Sequence, residues 1–131
     1  MAPNPEIVLD HYENPRNVGE IPDADAVGIV ENAACGDGMQ LYLSIESETV
    51  VKATFMAYGC APAIAAGSVL TELLTGVDVQ RARELGKEDV ASALGGLPPM
   101  KQHCSILAAD ALNAAFGHYE SKHRDNSPAT T

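Results

Sequence analysis

Met39-Gln40-Leu41-Tyr42-Leu43-Ser44-Ile45-Glu46-Ser47-Glu48-Thr49-Val50-Val51-Lys52-Ala53-Thr54-Phe55-Met56-Ala57 holds two runs of alternating polarity. In the first, Met39, Leu41, Leu43 and Ile45 fall on one face of an extended chain, with Gln40, Ser44 and Glu46 on the other. In the second, Val51, Ala53, Phe55 and Ala57 oppose Lys52 and Thr54. A period of two marks a half-buried strand, and a polar turn at Ser47-Glu48-Thr49 between the runs predicts an antiparallel hairpin. Gly28-Ile29-Val30-Glu31 upstream reads as a further short strand, which makes the sheet three-stranded and antiparallel.

Helical patterns flank this sheet. Asn4 followed by Pro5 is a cap with proline at the first helical position, opening a short helix through Ile7, Val8 and His11 that ends before Asn14-Pro15. Residues 14–26, rich in Pro, Gly, Asn and Asp, form an extended connection. Pro62 opens a helix with its apolar stripe on Ala66, Leu70, Leu73 and Leu74, stopped by Gly76. Two short helices follow, Val79–Leu85 and Glu88–Leu94, ended by Gly86 and Gly95-Gly96. Leu97-Pro98-Pro99 cannot lie inside a helix. The strongest helix runs from about Cys104 to Lys122, with Ala108, Leu112, Ala115, Phe116 and Tyr119 at helical spacing. The expectation is one α+β domain over residues 1–125, a small three-stranded antiparallel sheet packed against helices, with a polar tail at 126–131.

Composition agrees with a single core. The chain has 131 residues, 46% of them apolar, and no Trp, so aliphatic and alanine packing builds the interior. With 18 acidic against 8 basic residues the net charge is −10, which repels phosphate backbones and anionic lipid and favours basic protein surfaces as partners. No apolar run approaches the ~20 residues of a membrane span. Met1-Ala2-Pro3-Asn4-Pro5 lacks a basic or apolar leader pattern, so the expected location is cytoplasmic, with neither nucleic acid nor membrane as partner. Three cysteines are an odd number for a disulfide framework.

The cysteines all fall at ends of predicted elements. Cys35 lies in Ala34-Cys35-Gly36-Asp37-Gly38 between the first two strands, Cys60 between the third strand and a helix start, and Cys104 at the start of the last helix beside His103. Packed core thiols have little reason to gather there. Helix starts present unpaired N–H groups and a partial positive charge, which favour thiolate, the form that binds soft metals or attacks sulfur. Glycines beside Cys35 allow close approach of a cluster. A 2Fe–2S unit takes four protein ligands, so three thiolates leave one place for a carboxylate or imidazole, with Asp37 and His103 as the candidates. A weaker fourth ligand suits exchange and delivery. The alternatives are ordinary ones: Asp37 as a turn-forming residue, His103 as a cap or solvent-facing group, and the cysteines as packed thiols.

His11-Tyr12-Glu13-Asn14-Pro15-Arg16-Asn17-Val18-Gly19, Ala34-Cys35-Gly36-Asp37, Tyr58-Gly59-Cys60 with Ala63-Ile64-Ala65, and Leu97-Pro98-Pro99-Met100-Lys101 with His103-Cys104-Ser105-Ile106-Leu107-Ala108 resemble, in order, four blocks of the IscU and NifU N-terminal scaffold family. The resemblance implies a SufE/NifU-like sandwich and a scaffold rather than an enzyme. On it a transient 2Fe–2S cluster is assembled from iron and persulfide sulfur, then passed to acceptor apoproteins. It implies Cys35, Asp37, Cys60, His103 and Cys104 as cluster and metal ligands, zinc in the cluster-free form, and Cys104 as persulfide acceptor. It also implies a cysteine desulfurase, a frataxin-like protein and a ferredoxin as partners, and Leu97, Pro98, Pro99, Met100 and Lys101 as the segment engaged by a DnaK-type chaperone with its J-protein. Oligomeric state stays open between homodimer and trimer. Departures are Ala61-Pro62 after the second cysteine, Met100 in place of Val, and Gly95-Gly96, which is closer to NifU-type chains. The ferredoxin-like and C-terminal modules of full-length NifU are absent, so the expectation is a stand-alone scaffold.

Three other classes compete. A SufU-like zinc-dependent sulfurtransferase would place zinc on Cys35, Asp37 and Cys60 and attack with Cys104. SufU chains carry an insertion between their second and third cysteines and lack His before the third, whereas this chain has His103 and no such insertion. A thiol hydrolase would pair Cys104 with His103, against which stands the expectation that adjacent side chains at a helix start diverge. An acidic adaptor would use its cysteines only structurally. His11, His118 and His123 read as helix-surface or tail residues, and Lys101 as a cation for a chaperone or a desulfurase acid.

Overall fold

The computed structural model describes residues 5–32, 36–97 and 102–125. Its elements run α1 (Pro5–Glu13), β1 (Ala26–Asn32), β2 (Asp37–Glu46), β3 (Thr49–Tyr58), α2 (Ala61–Leu74), α3 (Val79–Arg83), α4 (Lys87–Ala93) and α5 (Gln102–Asp125). The strands form one antiparallel sheet in the order β1-β2-β3. Helices α2 and α5 pack on one face of it, so the architecture is α+β. Phe55, Met39, Leu41, Leu43, Leu70, Leu74 and Leu112 are wholly buried between the layers.

The hairpin follows its alternation through β2, where Met39, Leu41, Leu43 and Ile45 all point inward. In β3 the register corrects the expectation. Ser44 faces Lys52 but Ile45 faces Val50, so Val51 is an extra residue in a β-bulge. Parity therefore changes there: Val50 is fully buried and Val51 is 42% exposed, the reverse of the expected placement of Val51. The turn is also tighter than the sequence implies. Ser47 and Glu48 alone make it, both at positive φ (51° and 63°), the paired left-handed conformation that matches strand twist in two-residue hairpin loops.

Small residues set how closely the layers approach. A Cβ on Gly28 of β1 would lie 2.1 Å from the Ala111 carbonyl oxygen of α5, and one on Gly67 of α2 would lie 2.4 Å from the Phe55 ring. The alanines of α2 and α5 act in the same way, allowing a sheet this small to be covered by two helices.

The connection after α1 runs along the open edge of β3. Asn17 O accepts from Phe55 N–H and Gly19 N–H donates to Phe55 O, each at 3.0 Å, with Val18 bridging to Phe55. His11 corrects the surface reading: it is only 6% exposed, with Nδ1 2.7 Å from Ser68 Oγ of α2 and Nε2 3.5 Å from Glu72. Ser68 Oγ also accepts from Arg16 N–H at 3.0 Å, and Asn17 Nδ2 donates to Thr71 Oγ1 at 3.1 Å. The block from His11 to Asn17 thus clamps the α1 end onto α2. His118 is exposed, as expected, and its Nδ1 accepts from Val27 N–H on the outer edge of β1. The side chain of His123 and the tail lie outside the described residues. Among those described, no helix is long and apolar enough to cross a membrane.

Candidate metal centre

Three element ends meet at one corner of the sandwich. Asp37 opens β2, paired with Asn32 of β1, and is 3% exposed. Cys60 is the N-cap of α2: its backbone is extended (φ −74°, ψ 164°), and its carbonyl accepts from Ala63 and Ile64 N–H. Its thiol makes no capping bond, so the sulfur is left to face the corner. Proline in the first turn of α2 needs no N–H there, which accommodates Pro62. His103 and Cys104 occupy the first turn of α5.

The side chains converge. Cys60 Sγ and Cys104 Sγ lie 3.6 Å apart, and Cys104 Sγ is 3.5 Å from His103 Nε2. His103 Nε2 is 3.2 Å from Asp37 Oδ2, and the Cys60 thiol points at that same oxygen from 3.9 Å. The other carboxylate oxygen, Oδ1, accepts from Cys60 N–H at 3.2 Å. One donor atom from each of Asp37, Cys60, His103 and Cys104 lies within 4.8 Å of all the others. A four-coordinate ion with bonds of about 2.0–2.3 Å sets its ligand atoms roughly 3.3–3.8 Å apart. Four of the six separations, 3.2 to 3.9 Å, are close to those tetrahedral edges, and the whole set lies within 4.8 Å.

Of the five residues singled out in the sequence, four are gathered here. Cys35 lies outside the described residues, as do Pro98, Pro99, Met100 and Lys101. Leu97 is buried, and its carbonyl accepts from Gln102 Nε2 at 2.7 Å, tying Leu97 to the start of α5. One expectation changes. The side chains of His103 and Cys104 do not diverge, because the imidazole folds back along the helix start to within 3.5 Å of the thiol. Cys104 is fully buried, while Cys60 is only part-buried.

One contributor was quoted in the sequence without a role. Gly59 sits at φ +129°, and a Cβ there would lie 2.0 Å from Asp37 Oδ1. The glycine therefore leaves room for the carboxylate to reach Cys60 N–H; the signal was a glycine directly before a site cysteine. Beside the corner, a hollow of about 360 Å³ between β1 and α5 is lined by Val30, Glu31, His103, Ile106 and Asp110 among others, which gives His103 an open side.

Residues 4–126 match the family model of the NifU-like N terminal domain. The iron–sulfur cluster assembly scaffold protein IscU 1 of Archaeoglobus fulgidus is 48% identical over 112 residues, covering 86% of this chain and 73% of its own. The scaffold protein IscU of Escherichia coli K12 is 46% identical over 121 residues, covering 89% and 94%. Among solved structures, the N-terminal NifU-like protein of Brucella abortus superposes with a TM-score of 0.70 at 20% identity, over 89% of this chain and 94% of that one. A SUF-system scaffold chain of Fervidobacterium islandicum gives 0.71 at 24% identity, over 84% and 93%. The structural likenesses carry the fold alone. The sequence matches span nearly the whole chain at high identity, and by them the chain belongs to the family of NifU-like N-terminal domains.

Proposed function

We propose that this chain is a non-enzymatic scaffold on which a 2Fe–2S cluster is assembled and from which it passes to acceptor apoproteins. The observation that carries the reading is the convergence of two thiols, a carboxylate and an imidazole within 4.8 Å at the junction of three element ends. A set of mixed hardness holds iron less firmly than four thiolates, which suits a cargo that must leave. Relatives 46–48% identical bear the name iron–sulfur cluster assembly scaffold.

In this reading Asp37, Cys60, His103 and Cys104 hold the first iron, and Cys35 joins them to complete the cluster. The same four donors take zinc when no cluster is present, consistent with their near-tetrahedral spacing. Sulfur comes as persulfide from a cysteine desulfurase and comes to rest on Cys104. A ferredoxin supplies electrons, a frataxin-like protein assists, and the Leu97–Lys101 segment offers a handle for a DnaK-type chaperone with its J-protein. A reducing cytosol keeps the thiols available.

Cluster transfer tests the scaffold reading. Protein loaded anaerobically with iron and sulfide should pass its cluster to an apo-ferredoxin within minutes. A cluster retained after hours with excess acceptor would make it a resident cofactor and refute the scaffold role. Colourless protein that holds only zinc under the same treatment would favour the zinc-dependent sulfurtransferase.

A further inference from the structure

β1 is an edge strand, paired with β2 on one side only. Along a strand, successive residues turn their N–H and C=O groups to opposite sides in the plane of the sheet. Val27 N–H donates outward to His118 Nδ1 of α5 at 3.0 Å. Ile29 and Glu31 share that parity and point the same way, while Gly28 and Val30 serve the pairing with β2. His118 thus closes the edge at Val27. Among the described residues, nothing outside the sheet bonds to the backbone of Ile29 or Glu31. The Ile29 side chain is itself 60% exposed.

The hollow of about 360 Å³ between β1 and α5 lies beside this open stretch. Its charged lining is acidic: Glu31 comes from the strand and Asp110 from the helix, with His103 of the metal centre also in the wall. The Tyr58 ring crosses Gly38 to bring its hydroxyl to the Glu31 carboxylate, which holds that acid at the edge. Ile106, 40% exposed, adds an apolar wall. A strand added beside β1 would lie about 4.8 Å out and send alternate side chains toward the helices, where the hollow can take one.

We propose that the free edge of β1 at Ile29 and Glu31 docks an extended segment of a partner protein that sets a lysine or arginine into this hollow. Main-chain bonds to Ile29 and Glu31 hold the segment, Glu31 and Asp110 meet its cation, and Ile106 packs on the methylene stem. The net charge of −10 steers a basic segment to this edge. A second copy of this chain is a poor occupant, because it would bring another acidic edge against Glu31 and Asp110. Strand residues advance about 3.3 Å each. A segment paired at Ile29 therefore soon comes level with Asn32, which faces Asp37 of the metal centre across the ladder. Docking aims the partner's neighbouring residues at that centre. The proposal rests on the scaffold reading for its purpose, but the binding needs no cluster.

The probe is a blocked seven-residue peptide of alternating Thr and Val with a central Lys, titrated into ¹⁵N-labelled full-length protein. Amide exchange at Ile29 and Glu31 should slow at least about tenfold, with shifts at Ile106 and Asp110. A Glu-centred peptide should bind at least about tenfold more weakly, and Glu31→Lys combined with Asp110→Lys should reverse that order. The Lys peptide methylated at alternate backbone nitrogens keeps its side chains and should give no protection. Ile29→Pro removes an outward N–H that the β2 ladder does not use, so it should fold, as circular dichroism checks, and lose the peptide. Equal binding of the methylated peptide, or of the Lys and Glu peptides, would overturn the proposal. So would absence of protection at millimolar Lys peptide, which would make Glu31 and His118 guards of an unused edge. Protection that grows with protein concentration alone would give the edge to a second copy and overturn it too. Loading the parent with iron and sulfide tests the scaffold separately. A cluster formed there without peptide binding would sink the docking edge and leave the scaffold standing.

Discussion

Asp37 grips Cys60 through the backbone: Oδ1 accepts the Cys60 N–H at 3.2 Å, while Oδ2 turns toward the two thiols and His103. One carboxylate thus joins the start of β2 to the start of α2 and still offers an oxygen to a metal.

This double use makes Asp37→Ala informative. With Cys35, Cys60, Cys104 and His103 still present, assembly should persist. Loss of the weak ligand should yield a cluster that survives several-fold longer in air and moves several-fold more slowly to an apo-ferredoxin. Decay of visible absorbance compared with the parent checks this. Faster decay would reduce Asp37 to a structural clamp.

Gly59→Ala should act on the same carboxylate from the other side. Its Cβ would lie 2.0 Å from Oδ1 at a φ of +129°, so the backbone or the aspartate must move. A destabilisation of about 1–3 kcal/mol is expected. In a double-mutant cycle with Asp37→Ala the stability costs should be less than additive, read by denaturant unfolding. Strict additivity would separate the two residues.

Gly28→Ala reaches the site through α5. The added methyl would meet the Ala111 carbonyl, a backbone atom that yields only if the helix shifts. Stability should fall by roughly 1–3 kcal/mol, and iron retention with it, because His103 and Cys104 ride on the first turn of that helix. Unfolding midpoints and bound iron measured together test the coupling.

His11 makes a pH prediction. Desolvation first, then the charge of Arg16, holds its pKa below the usual 6.5, against the opposing pull of Glu72 and Asp10. A histidine with a lowered folded pKa binds fewer protons folded than unfolded. Its contribution is whole above pH 6.5 and is lost as pH falls from there through the folded value. Denaturant midpoints should drop as pH falls below about 6.5, and drop less in His11→Gln. Equal declines in the two proteins would remove His11 as the source.

Much of the fold was legible because it depends on local periodicity. The Met39–Ile45 alternation and the α5 stripe each declare an inner face within a few residues, and Gly28–Glu31 reads as a strand from its composition. Val51 misled because a bulge is set by the pairing of two strands, and polarity does not announce it. His11 was misread because its partner Ser68 lies on another helix and is distant in sequence. At the site, residue types at element ends pointed to Asp37, Cys60, His103 and Cys104. The closeness of His103 to Cys104, the burial of Cys104 and the room left by Gly59 depend on how α5 and β3 meet. No short window of sequence carries that.

The central claim is tested most directly by anaerobic reconstitution with ferrous iron, cysteine and a cysteine desulfurase, followed by visible spectroscopy with iron and sulfide analysis. About one 2Fe–2S cluster per site is expected, with visible bands that fall sharply in Cys35→Ser, Cys60→Ser and Cys104→Ser. Full cluster yield in Cys60→Ser, or no visible bands in the parent, would contradict assembly at this corner.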